Sequence, residues 1–404
     1  MKNLLFLTGL FPEEIRSELI KNSKSNTQFA ADGLQWSFVE GMISYYRDFK
    51  VLNFPFLGSY PTLHTTTAVK QFSFGQELGF DGLNIGYFNF FGLKNFDIYY
   101  KAKKGIFDWA RQNDGEKTIL IYSAFLPFLK AAITAKREFK GLKILLIVTD
   151  MPEHMGGPDN MLYRIFKEYN RDTLQKCFNE VDGYILISKY MIEKLPTKNK
   201  KWIVIEGIAN PKETSSFEKS NNTDKKIIHY TGTLARKSGI LRLVEAFKLI
   251  KNNNYLLEIC GNGNTREDII LAAENDKRII YKGSKIDRPE ILRLQSEASL
   301  LVSPRTSEDE FTKFSFPSKV MEYLASGTPT LLYKLPGIPD EYYDYCYVLE
   351  NKAIDVFAEK IKEILESDAE VLAEKGRKAR EFILNNKNPR AQCEKIYKLI
   401  EGQI

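Results

Sequence analysis

The chain has 404 residues, of which 43% are hydrophobic and 27% are charged, a composition typical of a soluble globular protein. This length exceeds what one hydrophobic core ordinarily holds, so two domains are predicted. The net charge of +6 comes from 58 basic and 52 acidic residues. This mild, dispersed charge argues against a nucleic-acid partner, but it is compatible with anionic substrates or an anionic membrane surface.

The cysteines and histidines do not form a recognisable metal site. The four cysteines contain no C-x-x-C pair and the three histidines are isolated, which favours a reducing, cytoplasmic location and no bound metal. No apolar run reaches eighteen residues, so no membrane-spanning helix is predicted. The apolar start of the chain is interpreted as a first buried strand, because it is short and no small-residue cleavage site follows it.

The first half of the chain alternates strand and helix patterns. Strands are predicted at 3–8, 50–53, 118–122, 143–148, 183–187 and 202–205, and helices at 31–46, 98–112, 125–139, 160–179 and 189–195. This alternation predicts a parallel, doubly wound sheet. A Gly- and aromatic-rich segment at 54–94 interrupts the pattern, and the sequence leaves open whether it forms a groove, a lid or a membrane contact.

A polar stretch between 206 and 226 separates a second alternating set. Strands are predicted at 227–230, 256–260, 279–282, 298–304 and 330–333, with helices at 240–251, 266–275 and 288–298 and a helical tail from 353. The predicted domains are 1–208, 209–385 and a last helical segment, 386–404, that packs back on the first domain. The predicted fold class is α/β, with two doubly wound Rossmann-like domains facing each other across a cleft.

The stretch 314–329 has the pattern of a loop, a short helix and a stop. Pro317 suits a first helical turn, Ser318 is expected to cap the free amides there, and Lys319 adds a positive charge. A helix N-terminus between two buried strands is the layout of a phosphate site. Glu322 lies about one turn further, where its carboxylate could accept the hydroxyls of a ribose. An ordinary amphipathic helix with an exposed glutamate explains the same residues.

Glycine or a small polar residue ends each predicted strand of the second domain. Because ligands bind at the carboxyl ends of parallel strands, these residues would let the backbone approach a ligand closely. Each glycine taken alone also fits a simple turn. The residues are Gly232 and Thr233, Gly261 and Gly263, Gly283 and Ser284, and Ser303.

These residues carry a resemblance to a known family. The second domain resembles the nucleotide-sugar-binding half of retaining glycosyltransferases of the GT-B fold, glycosyltransferase family 4 (group 1), of the bacterial surface-polysaccharide assembly type. The first domain is similar more loosely, at 148–153. The motifs that match are 229–234, 261–263, 281–283 and, most specifically, 315–329.

The resemblance implies a site for the nucleotide-sugar donor. Glu322 matches the glutamate that holds the ribose in the family, whereas Phe314 replaces a glutamate eight positions earlier that usually touches the donor sugar. Glu308 and Glu310 lie near that position but out of register. The donor-binding candidates are therefore Gly232, Thr233, Arg236, Lys237, Gly261, Gly263, Ser284, Ser315, Pro317, Ser318, Lys319 and Glu322.

The diphosphate of the donor needs positive charge, and no D-x-D sequence offers a metal to supply it. Thr233 stands where the family tends to have an arginine, so Arg236, Lys237 and Lys319 are expected to supply this charge together with helix amides. Arg236 and Lys237 also fit a solvated charge pair. The resemblance implies transfer with retention and without an obvious protein nucleophile.

Candidate residues of the first domain follow its predicted strands. Asp150 and His154 end one strand and could orient acceptor or donor hydroxyls, although local capping explains Asp150 equally well and His154 better. Lys319 is the third catalytic candidate. The loop at 8–10 is expected to approach the cleft, and Asn26, Thr27 and Gln28 are expected near the acceptor.

The resulting hypothesis is a metal-independent retaining hexosyltransferase that needs no cofactor beyond its donor substrate, a UDP-sugar. Its expected acceptor is a glycan or lipid-linked oligosaccharide in surface polysaccharide biosynthesis, with peripheral association at the inner face of the membrane. A phosphorylase or an epimerase is disfavoured, because neither a cofactor lysine in a much longer chain nor a catalytic carboxylate–histidine pair is found. The alternative from another class is a non-catalytic protein that binds a nucleotide sugar and activates another transferase.

Overall fold

The structure is a computed structural model that describes residues 2–24, 29–46, 49–151, 161–211 and 225–404, with the backbone alone for 161–170. The chain forms two compact units. Unit 1 contains Met1–Ile208 together with Pro389–Ile404, and unit 2 contains Ala209–Asn388.

The described part of unit 1 is built on an eight-stranded sheet with the order β3-β4-β2-β1-β5-β6-β7-β8. Neighbouring strands are parallel, except that β3 runs antiparallel to β4. β1, β5 and β6 are nearly continuous apolar runs, as expected for strands that are covered on both faces. The strands are β1 Lys2–Thr8, β2 Lys50–Asn53, β3 Phe72–Phe74, β4 Asp81–Asn84, β5 Glu116–Tyr122, β6 Leu142–Val148, β7 Gly183–Leu186 and β8 Lys201–Val204.

The helices of unit 1 lie where the sequence predicts them, with one addition. α1 was not predicted; it is only nine residues long and carries three apolar side chains. β3 and β4 were also missed, since they are three and four residues long and lie within the aromatic segment 54–94. The helices are α1 Glu13–Lys21, α2 Phe29–Ile43, α3 Lys94–Gln112, α4 Leu126–Glu138 and α5 Met161–Glu180; the segment Lys189–Glu193 is a 3-10 turn.

The last helix, α12 (Pro389–Glu401), packs against α2 within unit 1. The helices approach closely at Gly41, where an added Cβ would lie 2.3 Å from the carbonyl oxygen of Pro389 and 2.4 Å from Sγ of Cys393. The rings of Tyr45 and Tyr397 stack at 5.1 Å, and the amide of Gln392 donates to the carbonyl oxygen of Gly207 at 3.0 Å. The core of unit 1 therefore includes residues from both ends of the chain.

Unit 2 has a six-stranded sheet in its described part, with the order β11-β10-β9-β12-β13-β14 and parallel pairing throughout. From β9 the chain moves outward to β10 and β11 and then returns to the other side of β9 at β12. The point between β9 and β12 is therefore the topological switch point, where open α/β sheets bind their ligands. The strands are β9 Lys226–Thr231, β10 Tyr255–Cys260, β11 Ile279–Gly283, β12 Leu300–Ser303, β13 Thr330–Tyr333 and β14 Tyr347–Leu349.

Helices cover both faces of this sheet, so the expected α/β architecture of two Rossmann-like parallel sheets is confirmed. The helices of unit 2 are α6 Ile240–Leu249, α7 Arg266–Asn275, α8 Arg288–Glu297, α9 Ser318–Ser326, α10 Ile354–Glu366 and α11 Ala369–Asn386. No helix in the described ranges is both long and apolar enough to span a bilayer.

Candidate functional site

The loops that follow β9 and β12 meet at the switch point of unit 2. Gly239 has a φ of +76°, and a Cβ added there would lie 2.0 Å from the carbonyl oxygen of Pro304. Only glycine fits, because the left-handed backbone and the close contact both exclude a side chain. The two backbones are thus in direct contact at the place where a ligand is expected.

The glycines after β10 serve the same close packing. A Cβ at Gly261 would lie 1.9 Å from the carbonyl oxygen of Gly232, and one at Gly263 would lie 2.2 Å from that of Leu234. The missing side chains therefore make room for neighbouring loop backbone. Gly283, with a φ of +96°, differs because it borders open space, and Ser284 and Thr233 are exposed.

The helix α9 begins at Ser318, one residue earlier than a Ser318 cap would require. Pro317 is the N-cap and has no side chain able to accept a hydrogen bond, and Ser318 is the first helical residue. The expectation that Ser318 caps the helix is therefore wrong. The first amides of a helix have no intrahelical acceptor, so those of Ser318 and Lys319 are available to an anion. The predicted apolar face is confirmed, since Val320, Met321, Tyr323 and Leu324 are buried.

Tyr323 fixes α9 to the end of β9. Its hydroxyl donates to the carbonyl oxygen of Thr231 at 3.0 Å and accepts the amide of the same residue at 2.8 Å. The ring is fully buried, and burial raises the pKa of its hydroxyl. The hydrogen bonds therefore set the position of the helix N-terminus relative to Thr231 and the following Gly232.

Glu322 is the centre of a charged cluster, which we call the Glu322 cluster and which also contains Arg288, Gln295 and Lys319. The carboxylate forms an ion pair with the guanidinium of Arg288. It also accepts a hydrogen bond from the side-chain amide of Gln295 at 2.6 Å and one from the ammonium of Lys319 at 2.7 Å. Its side chain is only 11% exposed. An ordinary helix with an exposed glutamate is therefore the wrong interpretation.

The cluster keeps Glu322 ionised. Burial acts to raise the pKa of the carboxyl, but the charges of Lys319 and Arg288 and the hydrogen bond from Gln295 outweigh it and lower the pKa from 4.5 to about 2. The ammonium of Lys319, whose side chain is 35% exposed, is thus paired with the ionised carboxylate of Glu322, three positions later in the same helix.

A second group of cations lies around the ring of Phe311. The ammonium of Lys237 is 5.9 Å and the guanidinium of Arg305 is 5.3 Å from its centroid. Burial lowers the pKa of Arg305, and Asp309 and Tyr230 oppose that effect. Arg236 is exposed beside Lys237 in the 3-10 turn Arg236–Ser238. Positive charge is therefore present in the loops after both β9 and β12.

The loop before α9 is tightly packed. Phe314 is 2% exposed, so its ring is part of the interior. The hydroxyl of Ser315 donates to the carbonyl oxygen of Phe311 at 3.0 Å, and a Cβ at Gly337 would lie 2.0 Å from the carbonyl oxygen of Ser315. Glu308 pairs with Lys352 at 3.2 Å.

A buried polar chain lies beneath the end of β9. Nε2 of His229 is 2.5 Å from Oγ1 of Thr231, and Nδ1 is 3.7 Å from Glu258, whose other oxygen is 3.0 Å from Lys282. Burial acts to raise the pKa of Glu258, but His229 and Lys282 lower it. These buried polar side chains contact Thr231 through its hydroxyl, and Tyr323 is hydrogen-bonded to the backbone of the same residue.

In unit 1, Asp150 is exposed just after the end of β6. Burial raises the pKa of the Tyr122 hydroxyl, and the charge of Asp150 adds to that effect, so the two groups are close. His154, Asn26, Thr27 and Gln28 lie outside the described residues.

The loop after β1 is closed. Residues 8–12 are buried, Gln35 accepts the amide of Gly9 at 2.7 Å, and Asp32 accepts the amide of Phe11 at 2.7 Å. These two backbone amides already donate hydrogen bonds within unit 1, so they are not available to bind the substrate that receives the sugar.

Sequence reasoning missed Arg288, Gln295, Tyr323 and Arg305. Arg288 and Gln295 are seven positions apart, which places them on one face of α8, two turns from each other. The sequence could therefore have predicted that Arg288 and Gln295 share a helix face. Only the packing of α8 beside α9 shows that this face contacts Glu322. Tyr323 could not be distinguished from an ordinary apolar residue of the helix face.

Residues 211–401 match the family model described as Glycosyl transferases group 1. The matched segment includes unit 2 from Pro211 onward and continues through α12. Within the described residues, no group of three or more His, Cys, Asp or Glu side chains could hold a metal ion.

Similar solved structures show that the chain has the GT-B fold. A sucrose-phosphate synthase from Thermosynechococcus elongatus is similar with a TM-score of 0.64 and 14% identity, and all of both chains is covered. An α,α-trehalose 6-phosphate synthase from Burkholderia multivorans gives a TM-score of 0.64 at 12% identity, covering 100% of this chain and 97% of that one. A trehalose-6-phosphate protein from E. coli bound with UDP-2-fluoro glucose gives 0.62 at 12%, covering 98% and 99%. No curated protein matches the sequence.

Proposed function

We propose that this glycosyltransferase transfers a hexose from a UDP-sugar, with retention of configuration and without a metal ion, to a hydroxyl of a glycan or lipid-linked oligosaccharide in surface polysaccharide biosynthesis. The observation that carries the proposal is the Glu322 cluster on a helix whose N-terminus is tied to the end of β9. The family match over 211–401 supports the transfer, and a neighbour with UDP-2-fluoro glucose supports the nucleotide.

The Glu322 cluster provides a way to bind ribose and diphosphate together. A carboxylate has about four lone-pair positions, and three donors already occupy Glu322. Two ribose hydroxyls need two of these positions, so one present donor must leave. Lys319 is the donor best suited to leave, because it lies in the first turn of α9 beside the free amides. We propose that ribose binding displaces the Lys319 ammonium toward the diphosphate.

The leaving group is a nucleoside diphosphate, whose charge increases as the glycosidic bond breaks. The amides of Ser318 and Lys319, the ammonium of Lys319 and the cations Arg236, Lys237 and Arg305 stabilise that charge without a metal. Thr233 and Ser284 supply exposed hydroxyl groups at the neighbouring strand ends, and Gly232 brings the backbone of the loop after β9 beside them. In this proposal unit 1 recognises the acceptor, with Asp150 orienting a hydroxyl, and the protein acts in the cytoplasm.

Thermal unfolding in the presence of UDP-, GDP-, ADP- and CMP-sugars tests the donor site. We expect a UDP-sugar to raise Tm without added metal, since a ligand that binds the native state stabilises it by mass action. Glu322→Gln should abolish the increase, and Lys319→Ala should reduce it. Glu363→Gln on the exposed side of α10 is the matched control and should behave as the unchanged protein.

Donor turnover then separates transfer from binding alone. Release of UDP that depends on an added glycan acceptor supports the proposal. A Tm increase without any turnover, across a panel of glycan and lipid-linked acceptors, would instead favour a nucleotide-sugar-binding partner of another transferase. No increase with any nucleotide sugar, with or without magnesium, would refute the donor site.

A further inference from the structure

Unit 1 exposes a compact set of large apolar side chains at the start of α3. Phe91 is 84% exposed and Phe96 is 67% exposed, so most of the surface of both side chains is in contact with solvent. We call this set the aromatic tip; it contains Phe88, Phe90, Phe91, Leu93, Phe96 and Tyr100.

The backbone under the aromatic tip is held in place. Asp97 accepts the amide of Phe88 at 2.8 Å, and the carbonyl oxygen of Asn89 accepts the amide of Tyr60 at 2.8 Å. The rings of Tyr60 and Phe90 meet edge to face at 5.3 Å. The exposed rings are therefore presented by an ordered turn.

Helix α3 divides into two faces. Ile98, Ala102 and Ile106 are buried against the unit 1 core. Phe96 and Tyr100, four positions apart, point the opposite way together with Leu93, so the outward face is apolar in the first two turns. A helix of a water-soluble surface would carry polar side chains there.

Basic side chains follow the apolar ones along the same helix. Lys101, Lys103 and Lys104 come directly after Tyr100, and segment 88–104 contains four lysines and one aspartate. Asp97 is neutralised by Lys101 at 2.9 Å. Lys94 does not add to this surface charge, because its ammonium donates to the carbonyl oxygen of Leu57 and burial lowers its pKa to about 8.

We infer that the aromatic tip, together with Lys103 and Lys104, docks unit 1 onto an anionic lipid surface. Apolar rings enter the boundary between headgroups and acyl chains, while the two lysines remain at the level of the anionic headgroups. Lys101 is paired with Asp97, whereas Lys103 and Lys104 have no carboxylate partner among the described residues. The charge complementarity decides for lipid, because an ordered turn of rings beside these two lysines matches an interface with apolar acyl chains beneath negative headgroups. The proposal goes beyond sugar transfer and does not depend on it.

Sedimentation with vesicles tests the inference. Vesicles of phosphatidylcholine with phosphatidylglycerol should bind the full chain, and vesicles of phosphatidylcholine alone should bind it at least tenfold more weakly. The double variant Phe91→Ser/Phe96→Ser should lose at least tenfold in partitioning. Lys103→Glu/Lys104→Glu should lose binding to the anionic vesicles selectively. Leu78→Ser, another exposed apolar residue of unit 1 at 60% exposure, is the control and should bind normally.

Two results would overturn the inference. One is unchanged vesicle binding by the Phe91→Ser/Phe96→Ser variant. The other is a self-associated protein that the same variant converts to a monomer, which would assign the tip to contact between copies of the chain. Because the substituted rings are exposed, Tm should be unchanged. Stabilisation by a UDP-sugar should also be unchanged, so that failure here is distinguishable from failure of the donor site.

Discussion

Two carboxylates, Asp32 on α2 of unit 1 and Glu322 on α9 of unit 2, are largely buried, and their pKa values are shifted in opposite directions. In unit 1, burial raises the pKa of Asp32, although the amide of Phe11 and the charge of Arg16 oppose it. In unit 2, burial acts on Glu322 in the same sense, but Lys319, Arg288 and Gln295 reverse the outcome and lower the pKa to about 2. Burial alone therefore does not decide the charge state; the number of cations does.

The difference extends to the surrounding loops. In unit 1 the strand ends are joined by neutral hydrogen bonds, with Thr8 donating to Asn53 at 2.7 Å and Asn53 to Asn84 at 2.8 Å. In unit 2 the strand ends combine backbone packing with cations around Glu322 and Phe311. In unit 1 these polar side chains are hydrogen-bonded to one another. In unit 2 the cations near the strand ends are placed where they can interact with an anionic ligand.

The largest expected effect comes from filling the glycine contacts of unit 2. Gly263→Ala places a Cβ 2.2 Å from the carbonyl oxygen of Leu234, and backbone cannot move aside as a side chain can. We expect a loss of about 3 kcal/mol or more in the free energy of unfolding. Urea denaturation measures it. Gly33→Ala in α2, with nothing within 4 Å, is the control and should be neutral or slightly stabilising. A neutral Gly263→Ala would show that these loops are loosely packed.

The acid dependence of stability should separate the two carboxylates. The lowered pKa of Glu322 contributes stability that is fully present above 4.5 and is lost as the pH falls toward 2. A shift of this size corresponds to at most about 3 kcal/mol. The raised pKa of Asp32 has the opposite sign, since protonation relieves its burial cost as the pH falls through the folded-state value.

Denaturation of Glu322→Gln and Asp32→Asn from pH 7 to pH 2 checks both signs. The free energy of unfolding of Glu322→Gln should be lower than that of the unchanged protein at pH 7, and this difference should shrink as the pH falls below 4.5. For Asp32→Asn the difference from the unchanged protein should not shrink over the same range. Parallel curves for the unchanged protein and Glu322→Gln would mean that the cations do not stabilise this carboxylate.

Removing the hydroxyl of Tyr323 should have a moderate effect. Tyr323→Phe keeps the ring but leaves the buried amide and carbonyl of Thr231 without this partner, at a cost of about 1–3 kcal/mol. Because the hydroxyl positions α9, affinity for the UDP-sugar should fall as well, which calorimetry measures. Tyr347→Phe on β14 is the control. Lost stability with unchanged affinity would limit Tyr323 to a structural role.

The smallest effect is expected for Arg288→Ala. The guanidinium is half exposed, so its pair with Glu322 contributes only about 0–1 kcal/mol to stability. Its loss should raise the pKa of Glu322 and weaken UDP-sugar binding a few-fold, as measured by titration at pH 7. Arg288→Lys should recover part of that affinity. A complete loss of binding would show instead that Arg288 contacts the donor.

The sequence predicts the elements that are defined by local pattern. The continuous apolar run of β1 and the apolar face, glycine stop and glutamate of α9 are visible in order along the chain, and the structure contains them within one or two residues. The three-residue β3 and the nine-residue α1, with three apolar side chains, are too short to give a clear local pattern.

The partners of Glu322 illustrate the other limit. Arg288 and Gln295 are 34 and 27 positions away, and nothing local indicates that α8 packs its polar face on this glutamate. The family resemblance identified the carboxylate, but not the side chains that keep it ionised. Likewise, Gly261 and Gly263 were recognised as special positions, but their close contact with the backbone of Gly232 and Leu234 depends on how the loops after β9 and β10 pack together.

The packing of α12 on α2 has a consequence for synthesis. The surface of α2 around Gly41 is completed only by Pro389 and Cys393, nearly 350 residues later in the chain. During translation unit 1 emerges first, yet its apolar surface stays uncovered until residues 389–401 leave the ribosome, by which time all of unit 2 has been made. The core of unit 1 is therefore completed only after unit 2 has been synthesised, and the apolar surface of α2 stays exposed during that interval.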